Sequence, residues 1–560
     1  MVLKIEGFEG CFRMTLHTSH YLSLKLLKKT NENRKEIDVK IAKGTVTRLD
    51  MMEQLKFELK IFDVFLKIIN NMTGCTNCGS CNVTIESIIN NIEIISIKED
   101  TIFNFSSCDF VKILQTTAFV DKTLMIKEVK EVLQNNKIKG IVVTAPRKYG
   151  KSTNLSMLKY FLEIQVNPLG EPLTKANAEE PITDTSNYKL FKGLKISNEA
   201  NIMDKYFGKY PVLYINFKIE MNVKSYVSVI EGFREIMHKT FQLHSYLQIS
   251  SKLSMTQREY CQLWCGNKTS YHIFKKADDI SSSLRALCLF LTKHYNKKCF
   301  VLIDEFDFFT SMVTITETLL KDYNLIVLFV KKLLSCLEND EFVFKAILTG
   351  KSCYAIHCIV PSCMKIQSFY NSHNFTDYYG LTENELEYLF KKIEFKNVST
   401  TIEEVKAYYG TYHKFDEHTK TKKNIYCIWS ILNVLKCKKI DNYWRDFGNF
   451  FCSFSNPTMK DIMELIIENT IEAVVGFKTY DLKNHPNTPP RIIRVSHTPK
   501  EKVINFFYMI LLDLGYLTLN SSTTTVVSKS KNIKRYSGKI NIPNQEVKDD
   551  IVNKISLLSL

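Results

Sequence analysis

The chain has 560 residues, 45% of them hydrophobic, which suits roughly two to four globular domains with sizeable cores. Its 75 lysine and arginine residues outnumber the 59 aspartate and glutamate residues, and this excess favours acidic partners such as nucleotides or nucleic acid. The 16 cysteines are mostly scattered, and we expect neither a signal peptide nor a membrane span, which argues against a disulfide-rich secreted protein and predicts an intracellular location, cytoplasmic or nuclear.

The N-terminal region, residues 1–105, carries no motif that indicates its role. Around "MMEQLKFELKIFDVFLKIINN" the apolar residues recur at helical spacing. Further along, "GCTNCGSCN" places Cys75, Cys78 and Cys81 at a spacing that suits a metal ion or an iron–sulfur cluster. A fourth ligand is missing nearby, so three thiols in a polar loop are at least as good an interpretation as a zinc site.

Residues 106–397 alternate between strand and helix patterns. Four short apolar stretches, "KGIVVTA", "YPVLYINFK", "CFVLIDEF" and "FVFKAILTG", are separated by amphipathic segments. Strands that are apolar throughout and separated by helices predict a parallel sheet covered by helices. The expected fold class is therefore α/β.

The first of these strands leads into "TAPRKYGKST", which is followed by a helical pattern. A strand, a tight loop and a helix N-terminus aim backbone N–H groups at one point, where a polyphosphate can bind. Gly150 would let the loop approach the phosphates, Lys151 would reach them from an exposed loop-to-helix junction, and the Ser152 hydroxyl would ligate Mg²⁺. Thr153 completes this predicted nucleotide-binding segment. By itself, however, a G-K-S tripeptide can also be an ordinary basic turn before a helix.

Two further strand ends supply the missing support. "CFVLIDEFD" runs from an apolar strand into Asp304 and Glu305, at the sheet edge where open α/β sheets bind ligands. Asp304 would hold Mg²⁺ through water, and Glu305 would act as the catalytic residue that polarises the attacking water. "FVFKAILTG" places Thr349 at the same edge, where its hydroxyl could sense the γ-phosphate or the water. We predict that the strands ending at Val143, Asp304 and Thr349 lie in one parallel sheet.

The last part of the chain, residues 398–560, has a mostly helical pattern. Within it, "NSSTTTVVSKSKNIKR" (520–535) predicts a flexible or hairpin-forming segment. His413 and His418 lie five residues apart, which does not suit a helical metal-binding pair. The acids Glu546, Asp549 and Asp550 are predicted to open a terminal helix, where negative charge suits the helix dipole.

Together these stretches resemble the predicted AAA-ATPase-like proteins, whose P-loop ATPase domain is often coupled to a nuclease domain of the PD-(D/E)XK type. The resemblance covers about residues 115–548. It rests on "FVDKTLMI", "APRKYGKSTNLSML", "LFKGLKI", "YPVLYINFK", "HYNKKCFVLIDEFD", "AILTG", "DYYGLTENELEYLF", "LLDLGYLTL" and "INIPNQEV". It implies that residues 106–397 form a P-loop NTPase domain, a three-layer sandwich with a mainly parallel sheet, and that ATP and Mg²⁺ are the cofactors.

Three positions can be compared with the family pattern. The family loop commonly lacks the first glycine, so Ala145 fits it, and Arg147 in the same loop is added to the nucleotide-binding residues as a group that holds the loop or acts as an arginine finger. Asp307 completes the family's acidic motif. Cys427 and Ile428 stand where the family usually has Asn-Pro, which puts the local turn in question.

The nuclease domain is expected to be truncated or absent, because only about a dozen residues follow "INIPNQEV" and no acid…acid-x-Lys pattern is found there. We therefore expect no cleavage of nucleic acid. The preferred function is an Mg²⁺-dependent ATPase that couples turnover to a conformational change. The alternatives are a nucleotide-gated regulatory or scaffold module that hardly hydrolyses, and a nucleic-acid-associated factor that has lost its nuclease. A nucleotide is the expected partner; a nucleic acid, a protein partner and self-association stay open, and no membrane partner is expected.

Overall fold

The structure is a computed structural model in which the chain divides into two compact units, Met1–Ser107 and Cys108–Leu560. The described residues are 3–5, 11–14, 25–28, 35–39, 92–94, 102–173, 182–309, 319, 321–339, 341–351, 356, 359–369, 375–393, 400–410, 412–415, 422–444, 471–476, 508, 511–519, 525–530 and 533–558. The cysteine cluster at 75–81 and the helical pattern at 51–71 lie outside them and stay predictions. The same holds for the division at residues 105 and 397, which nothing in the structure tests.

The first unit contains a small sheet of short strands. They are β1 (Leu3–Ile5), β2 (Cys11–Met14), β3 (Lys25–Lys28), β4 (Lys35–Val39) and β5 (Ile92–Ile94). Their spatial order is β3-β4-β2-β1-β5, with β2 and β4 parallel and the other neighbours antiparallel. This sheet was not predicted from the sequence, because strands of three to five residues are too short for a clear alternation of apolar and polar side chains.

The second unit is built around five parallel strands. They are β6 (Gly140–Thr144), β7 (Val212–Asn216), β8 (Cys299–Asp304), β9 (Val343–Gly350) and β10 (Met364–Ser368). Their spatial order is β10-β6-β9-β8-β7, and every neighbouring pair is parallel. The first four coincide with the strands predicted from sequence, so the prediction of a mainly parallel sheet is confirmed. β10 was not predicted.

Burial explains the composition of the central strands. β6 and β8 are buried along their whole length, as strands covered by helices must be. Gly140 begins β6 at a point of close approach, since a Cβ there would lie 2.1 Å from the carbonyl oxygen of Ala346 on β9. A larger residue at position 140 would therefore push β6 and β9 apart.

The helices that precede, connect and flank these strands alternate with them along the chain. They are α1 (Phe110–Leu114), α2 (Met125–Gln134), α3 (Lys151–Leu162), α4 (Ser186–Phe191), α5 (Ala200–Tyr206), α6 (Tyr226–Leu243), α7 (Met255–Cys265), α8 (Lys268–Tyr271), α9 (Ala277–Tyr295), α10 (Tyr323–Leu334) and α11 (Cys336–Asn339). Ser225 and Ser254 form capping boxes that begin α6 and α7. Among the described residues, no helix is both long and apolar enough to cross a membrane.

The C-terminal part of the second unit mixes helices with small antiparallel sheets. Its helices are α12 (Glu383–Lys392), α13 (Ile402–Tyr409), α14 (Ile428–Cys437) and α15 (Gln545–Leu558). Its strands are β11 (Leu381–Thr382), β12 (Tyr412–Phe415), β13 (Lys422–Tyr426), β14 (Ile471–Gly476), β15 (Thr518–Leu519), β16 (Thr525–Ser530) and β17 (Ile533–Asn541). β11, β13 and β12 form one sheet, and β14, β17, β15 and β16 form another.

These sheets correct the prediction of a mostly helical region at 398–560. The prediction was wrong for the described residues because strands such as "KKNIY" are short and polar, and their pairing with distant segments leaves no local periodicity. The hairpin predicted at 520–535 is confirmed by the antiparallel pairing of β16 with β17. His413 lies in β12, and His418 is outside the described residues.

Glu546 fastens the terminal helix to the rest of the second unit. Its buried carboxylate accepts hydrogen bonds from the Ser430 hydroxyl at 2.8 Å and from the backbone N–H groups of Tyr443 and Trp444 at 2.9 and 2.8 Å. The acids of this segment were predicted to open a helix, and the helix is present. Glu546 is not an isolated acid at its start, however, because it has a tertiary role that the sequence did not indicate.

We predict that Glu546 makes the stability of this unit depend on pH. Burial raises the pKa of its carboxyl from an ordinary value of 4.5 to about 7, although the hydrogen bonds from Ser430, Tyr443 and Trp444 oppose the shift. The folded state is therefore favoured below pH 4.5, and this contribution is lost as the pH rises through about 7. The unfolding free energy of Glu546→Gln, which can keep the backbone hydrogen bonds, should rise relative to that of the wild type by roughly 2–3 kcal/mol as the pH increases from 5 to 8.

Denaturant unfolding of both proteins at several pH values measures this difference. Glu259→Gln, at an exposed position in α7, is the control and should follow the wild type. Parallel pH profiles for Glu546→Gln and the wild type would show that Glu546 is not responsible.

Candidate functional site

The loop between β6 and α3 has the geometry of an anion-binding turn. Lys148 and Gly150 adopt left-handed backbone conformations, with φ of 64° and 85°, and Gly150 is the residue from which α3 begins. Ala145 is not left-handed, so the position where the usual loop has its first glycine tolerates a Cβ here. Its backbone N–H donates to the carbonyl oxygen of Gly350, which ties the start of the loop to the end of β9.

Lys151 lies inside this loop rather than at an exposed junction, which corrects the expectation from sequence. Its ammonium group donates to the carbonyl oxygens of Ala145 at 2.9 Å and Pro146 at 2.7 Å, and the residue is only 6% exposed. Burial lowers the pKa of Lys151 to about 8, and the negative charge of Glu305 opposes this shift. The lysine is therefore a buried cation that the loop's own carbonyl oxygens solvate.

Asp304 lies at the C-terminal end of β8, where three predicted site residues meet. The Thr349 hydroxyl donates to Asp304 Oδ1 at 2.6 Å, and the backbone N–H of Glu305 donates to the same oxygen at 3.0 Å. Burial raises the pKa of Asp304, while hydrogen bonding to the hydroxyls of Ser152 and Thr349 lowers it. Asp304 Oδ2 is buried and has no hydrogen bond of ordinary geometry, so this oxygen is available to a ligand beside Ser152.

Glu305 has a left-handed backbone, with φ of 51°, and an ion-pair partner that sequence analysis missed. Its Oε2 lies 2.8 Å from the ammonium nitrogen of Lys351, and both side chains are largely buried. Burial raises the pKa of Glu305, but the positive charges of Lys351 and Lys151 lower it by a larger amount, so the net shift is downward. The one signal in the sequence was a lysine directly after the strand that ends at Thr349 and Gly350.

Gly350 allows the acidic segment after β8 and the basic residue after β9 to approach each other. A Cβ on Gly350 would lie 2.5 Å from both Asp307 Oδ1 and Phe306 Cε1. Asp307 is fully buried and accepts the backbone N–H of Lys351 at 2.9 Å. The segment after β8 and the segment after β9 therefore lie in direct contact, which places Glu305 and Lys351 close to each other.

The remaining predicted residues lie on the loop and on the first turn of α3. The charge of Arg147 contributes to the lowering of the pKa of Glu305, so the guanidinium group lies within electrostatic reach of that carboxylate. Thr153 follows Ser152 on α3, and both residues are partly exposed. The structure therefore brings together six of the predicted residues and adds Lys351, which was not predicted; the six are Arg147, Lys151, Ser152, Asp304, Glu305 and Thr349.

The C-terminal part of the chain covers the apex of the loop. The ammonium nitrogen of Lys148 lies 3.6 Å from the ring centroid of Trp429 on α14. A Cβ on Gly150 would lie 3.2 Å from Ile428 Cδ1, and the carbonyl oxygen of Tyr149 accepts the backbone N–H of Gly380 at 3.1 Å. α14 begins after Cys427, whose side chain makes no capping hydrogen bond to the helix.

We predict that this contact helps to hold the loop in its binding geometry. Trp429→Leu should lower nucleotide affinity by up to about fivefold, because a cation–π contact of this kind contributes roughly 0.5–1 kcal/mol. Lys148→Met should have the same effect. The double variant should be no weaker than either single variant, because both changes remove one interaction. Nucleotide titration of the four proteins measures this coupling, and fully additive losses would contradict it.

The chemistry of the donor set indicates which metal ion fits. Among the described residues, no group of three or more His, Cys, Asp and Glu side chains could hold a metal ion. A magnesium ion does not need such a group, because it keeps several waters and is bound through one or two protein oxygens together with substrate phosphates. The Ser152 hydroxyl and the buried Asp304 Oδ2 fit this role, whereas they do not fit a metal held by protein ligands alone.

Comparison with protein-family models gives a match over part of the chain. Residues 106–360 match the family described as Predicted AAA-ATPase. No curated protein is significantly similar to the chain. The matched residues include β6, the loop, α3, β8 and β9, and they end before the C-terminal segments that cover the loop apex.

Proposed function

Since residues 106–360 belong to the predicted AAA-ATPase family, we propose that this chain binds ATP with Mg²⁺ at the β6–α3 loop and hydrolyses it. The proposal includes the more specific fold assignment that the α/β domain is a three-layer P-loop sandwich. The observation that carries it is the convergence of a loop-buried lysine, a hydroxyl–carboxylate pair and a second carboxylate on one sheet edge. Such a set can bind phosphate, hold a divalent cation and orient a water molecule.

Lys151 and Ser152 would provide the binding step. The ammonium group of Lys151 would exchange the carbonyl oxygens of Ala145 and Pro146 for phosphate oxygens, which accept stronger, charge-assisted hydrogen bonds. Ser152 and Asp304 would hold Mg²⁺, and bound Mg²⁺ would neutralise charge on the phosphates. Thr349 would act as a positioning residue, since its hydroxyl fixes the direction of the Asp304 carboxylate.

Glu305 would provide the chemical step. Its carboxylate can accept a hydrogen bond from a water molecule and take up the proton as that water attacks the terminal phosphate. The positive charges of Lys351 and Lys151 keep the carboxylate in its ionised form, which is the form a general base needs. Arg147 would stabilise charge on the phosphates or hold the loop.

Binding and turnover by the full chain test the proposal. We expect ATP to bind in the presence of Mg²⁺, to bind more weakly when the metal is chelated, and to release inorganic phosphate. Absence of binding to both ATP and ADP would overturn it.

The ion pair between Glu305 and Lys351 favours a second candidate, a nucleotide-gated module with little hydrolysis, because a paired base is held away from water. Tight ATP binding without phosphate release would support that candidate. Salt-sensitive DNA binding without strand scission would support the nucleic-acid-associated alternative, for which the net charge of +16 is the supporting observation.

A further inference from the structure

Lys351 is a charged residue of this site that the proposed function uses only to keep Glu305 ionised and does not place on the nucleotide. It follows Thr349 and Gly350 at the end of β9, and its side chain is only 10% exposed. The ammonium nitrogen lies 2.8 Å from Glu305 Oε2, the carboxylate proposed as the general base. A buried lysine needs a compensating charge, and here the compensation comes from a residue that catalysis would need for another purpose.

The ammonium groups of Lys151 and Lys351 both have oxygen atoms of the protein as partners in this structure. Lys151 donates to two loop carbonyl groups, and Lys351 pairs with Glu305. The positive charge of Lys351 also contributes to the lowered pKa of Lys151, although burial is the larger cause, so the two ammonium groups share one small site. A polyphosphate that enters the loop would therefore meet two cations whose present partners are weaker than phosphate.

The backbone of Lys351 is fixed, so only its side chain is free to change partner. Its N–H is held by Asp307 at 2.9 Å, and the preceding Gly350 has no room for a side chain. Four methylene groups then carry the ammonium group from this fixed point, and a lysine can redirect its charge by rotamer changes alone. The fixed backbone restricts these positions to the neighbourhood of Glu305 and of the phosphate site.

We propose that Lys351 recognises the terminal phosphate of a bound nucleoside triphosphate and, by leaving Glu305 to do so, frees that carboxylate for water. The inference rests on the proposed function and deepens it. In the nucleotide-free protein and with a diphosphate, Lys351 stays paired with Glu305. With a triphosphate, the additional negative charge beyond the second phosphate offers the ammonium group a stronger partner. Hydrolysis is then coupled to recognition of the complete substrate, without a residue from a second subunit.

Charge balance supports this exchange. Asp304, Glu305 and Asp307 place three carboxylates close to the phosphate site, and like charges within a few ångströms repel strongly in a buried environment. A triphosphate adds more negative charge than a diphosphate does. Lys151 and Mg²⁺ would have to offset both, and Lys351 supplies a further positive charge beside the third phosphate.

Affinities for ATP and ADP test the proposal, because a merely structural lysine would affect both equally. Lys351→Met and Lys351→Gln should each weaken Mg²⁺-ATP binding at least tenfold and change ADP affinity less than twofold. The second variant keeps a hydrogen-bonding group beside Glu305 in case the methionine variant folds poorly. Lys351→Arg should restore most of the ATP preference, and Lys331→Met, at an exposed position in α10, should behave as the wild type.

A second readout reports the exchange itself. Glu305→Gln removes the competing carboxylate charge, so ATP affinity should rise severalfold while ADP affinity stays constant. Adding Lys351→Met should abolish that gain. Equal losses of ATP and ADP affinity in the Lys351 variants, or no loss in either, would overturn the inference while the nucleotide-binding proposal stands. A wild-type chain that binds neither nucleotide would overturn both, so the two failures are distinguishable.

Discussion

Replacing Lys151 with methionine is expected to weaken ATP binding about a hundredfold or more while the chain remains folded. The ammonium group points into the loop, where it donates to the carbonyl oxygens of Ala145 and Pro146. Phosphate oxygens would take the place of these acceptors, and the loss of two charge-assisted hydrogen bonds costs roughly 3 kcal/mol or more.

The folded state should tolerate this change. Burial disfavours the charged form of Lys151, as its pKa of about 8 indicates, so the lysine costs stability that its hydrogen bonds only partly return. Methionine has a similar length and no charge to desolvate. We therefore expect the free energy of unfolding of Lys151→Met to lie within about 1 kcal/mol of the wild type, or above it.

Calorimetric titration with Mg²⁺-ATP and denaturant unfolding measure the two quantities separately. Lys252→Met replaces an exposed lysine and is the matched control for loss of one positive charge. Unchanged ATP affinity in Lys151→Met would remove the phosphate-binding role of the loop. If Lys151→Met loses affinity because it unfolds, Lys151→Arg tests the role of the lysine instead. This variant should also bind ATP more weakly than the wild type, because the larger guanidinium group does not fit between the loop carbonyl groups.

Replacing Glu305 with glutamine is expected to lower kcat for ATP hydrolysis at least about a hundredfold without weakening ATP binding. Glutamine has the same shape and still accepts a hydrogen bond from Lys351, but it does not take up a proton from water. The left-handed backbone at this position, with φ of 51°, is equally accessible to both side chains, so the loop after β8 should keep its course.

Single-turnover phosphate release and nucleotide titration separate chemistry from binding for this variant. Glu341→Gln, at an exposed position before β9, is the control for loss of one carboxylate. If Glu305→Gln hydrolyses ATP at the wild-type rate, another residue activates the water, and Asp307 becomes the next candidate. A parallel loss of ATP and ADP affinity would instead assign Glu305 a structural role.

The sequence by itself determined the central sheet and the identity of the loop. β6 and β8 are almost wholly apolar, and β9 is apolar up to Thr349 except for Lys345, so each has to be buried between helices and their parallel arrangement follows from local composition. The segment from Gly150 to Ser152 is separated from β6 only by the loop at 145–149, and it begins α3. Because the strand, the loop and the helix are contiguous, their mutual geometry is a local property that a short segment encodes.

Only the tertiary structure decided which side chains of the site contact each other. The Glu305–Lys351 pair depends on the left-handed backbone at Glu305 and on the close approach at Gly350, which no pattern in either segment predicts. Lys148 and Trp429 are far apart in the chain and meet because α14 packs on the loop apex. Contacts of this kind depend on how distant elements pack, and that information is spread over the whole core.

The same reason explains the errors in the C-terminal part. The strands there are short and pair with distant segments, so burial and hydrogen bonding, rather than local periodicity, determine that they are strands. Glu546 appeared from sequence as one of several helix-opening acids, yet its partners Ser430 and Trp444 lie on segments that precede it by a long stretch of chain. Local patterns thus specify which elements form, and packing specifies which side chains meet.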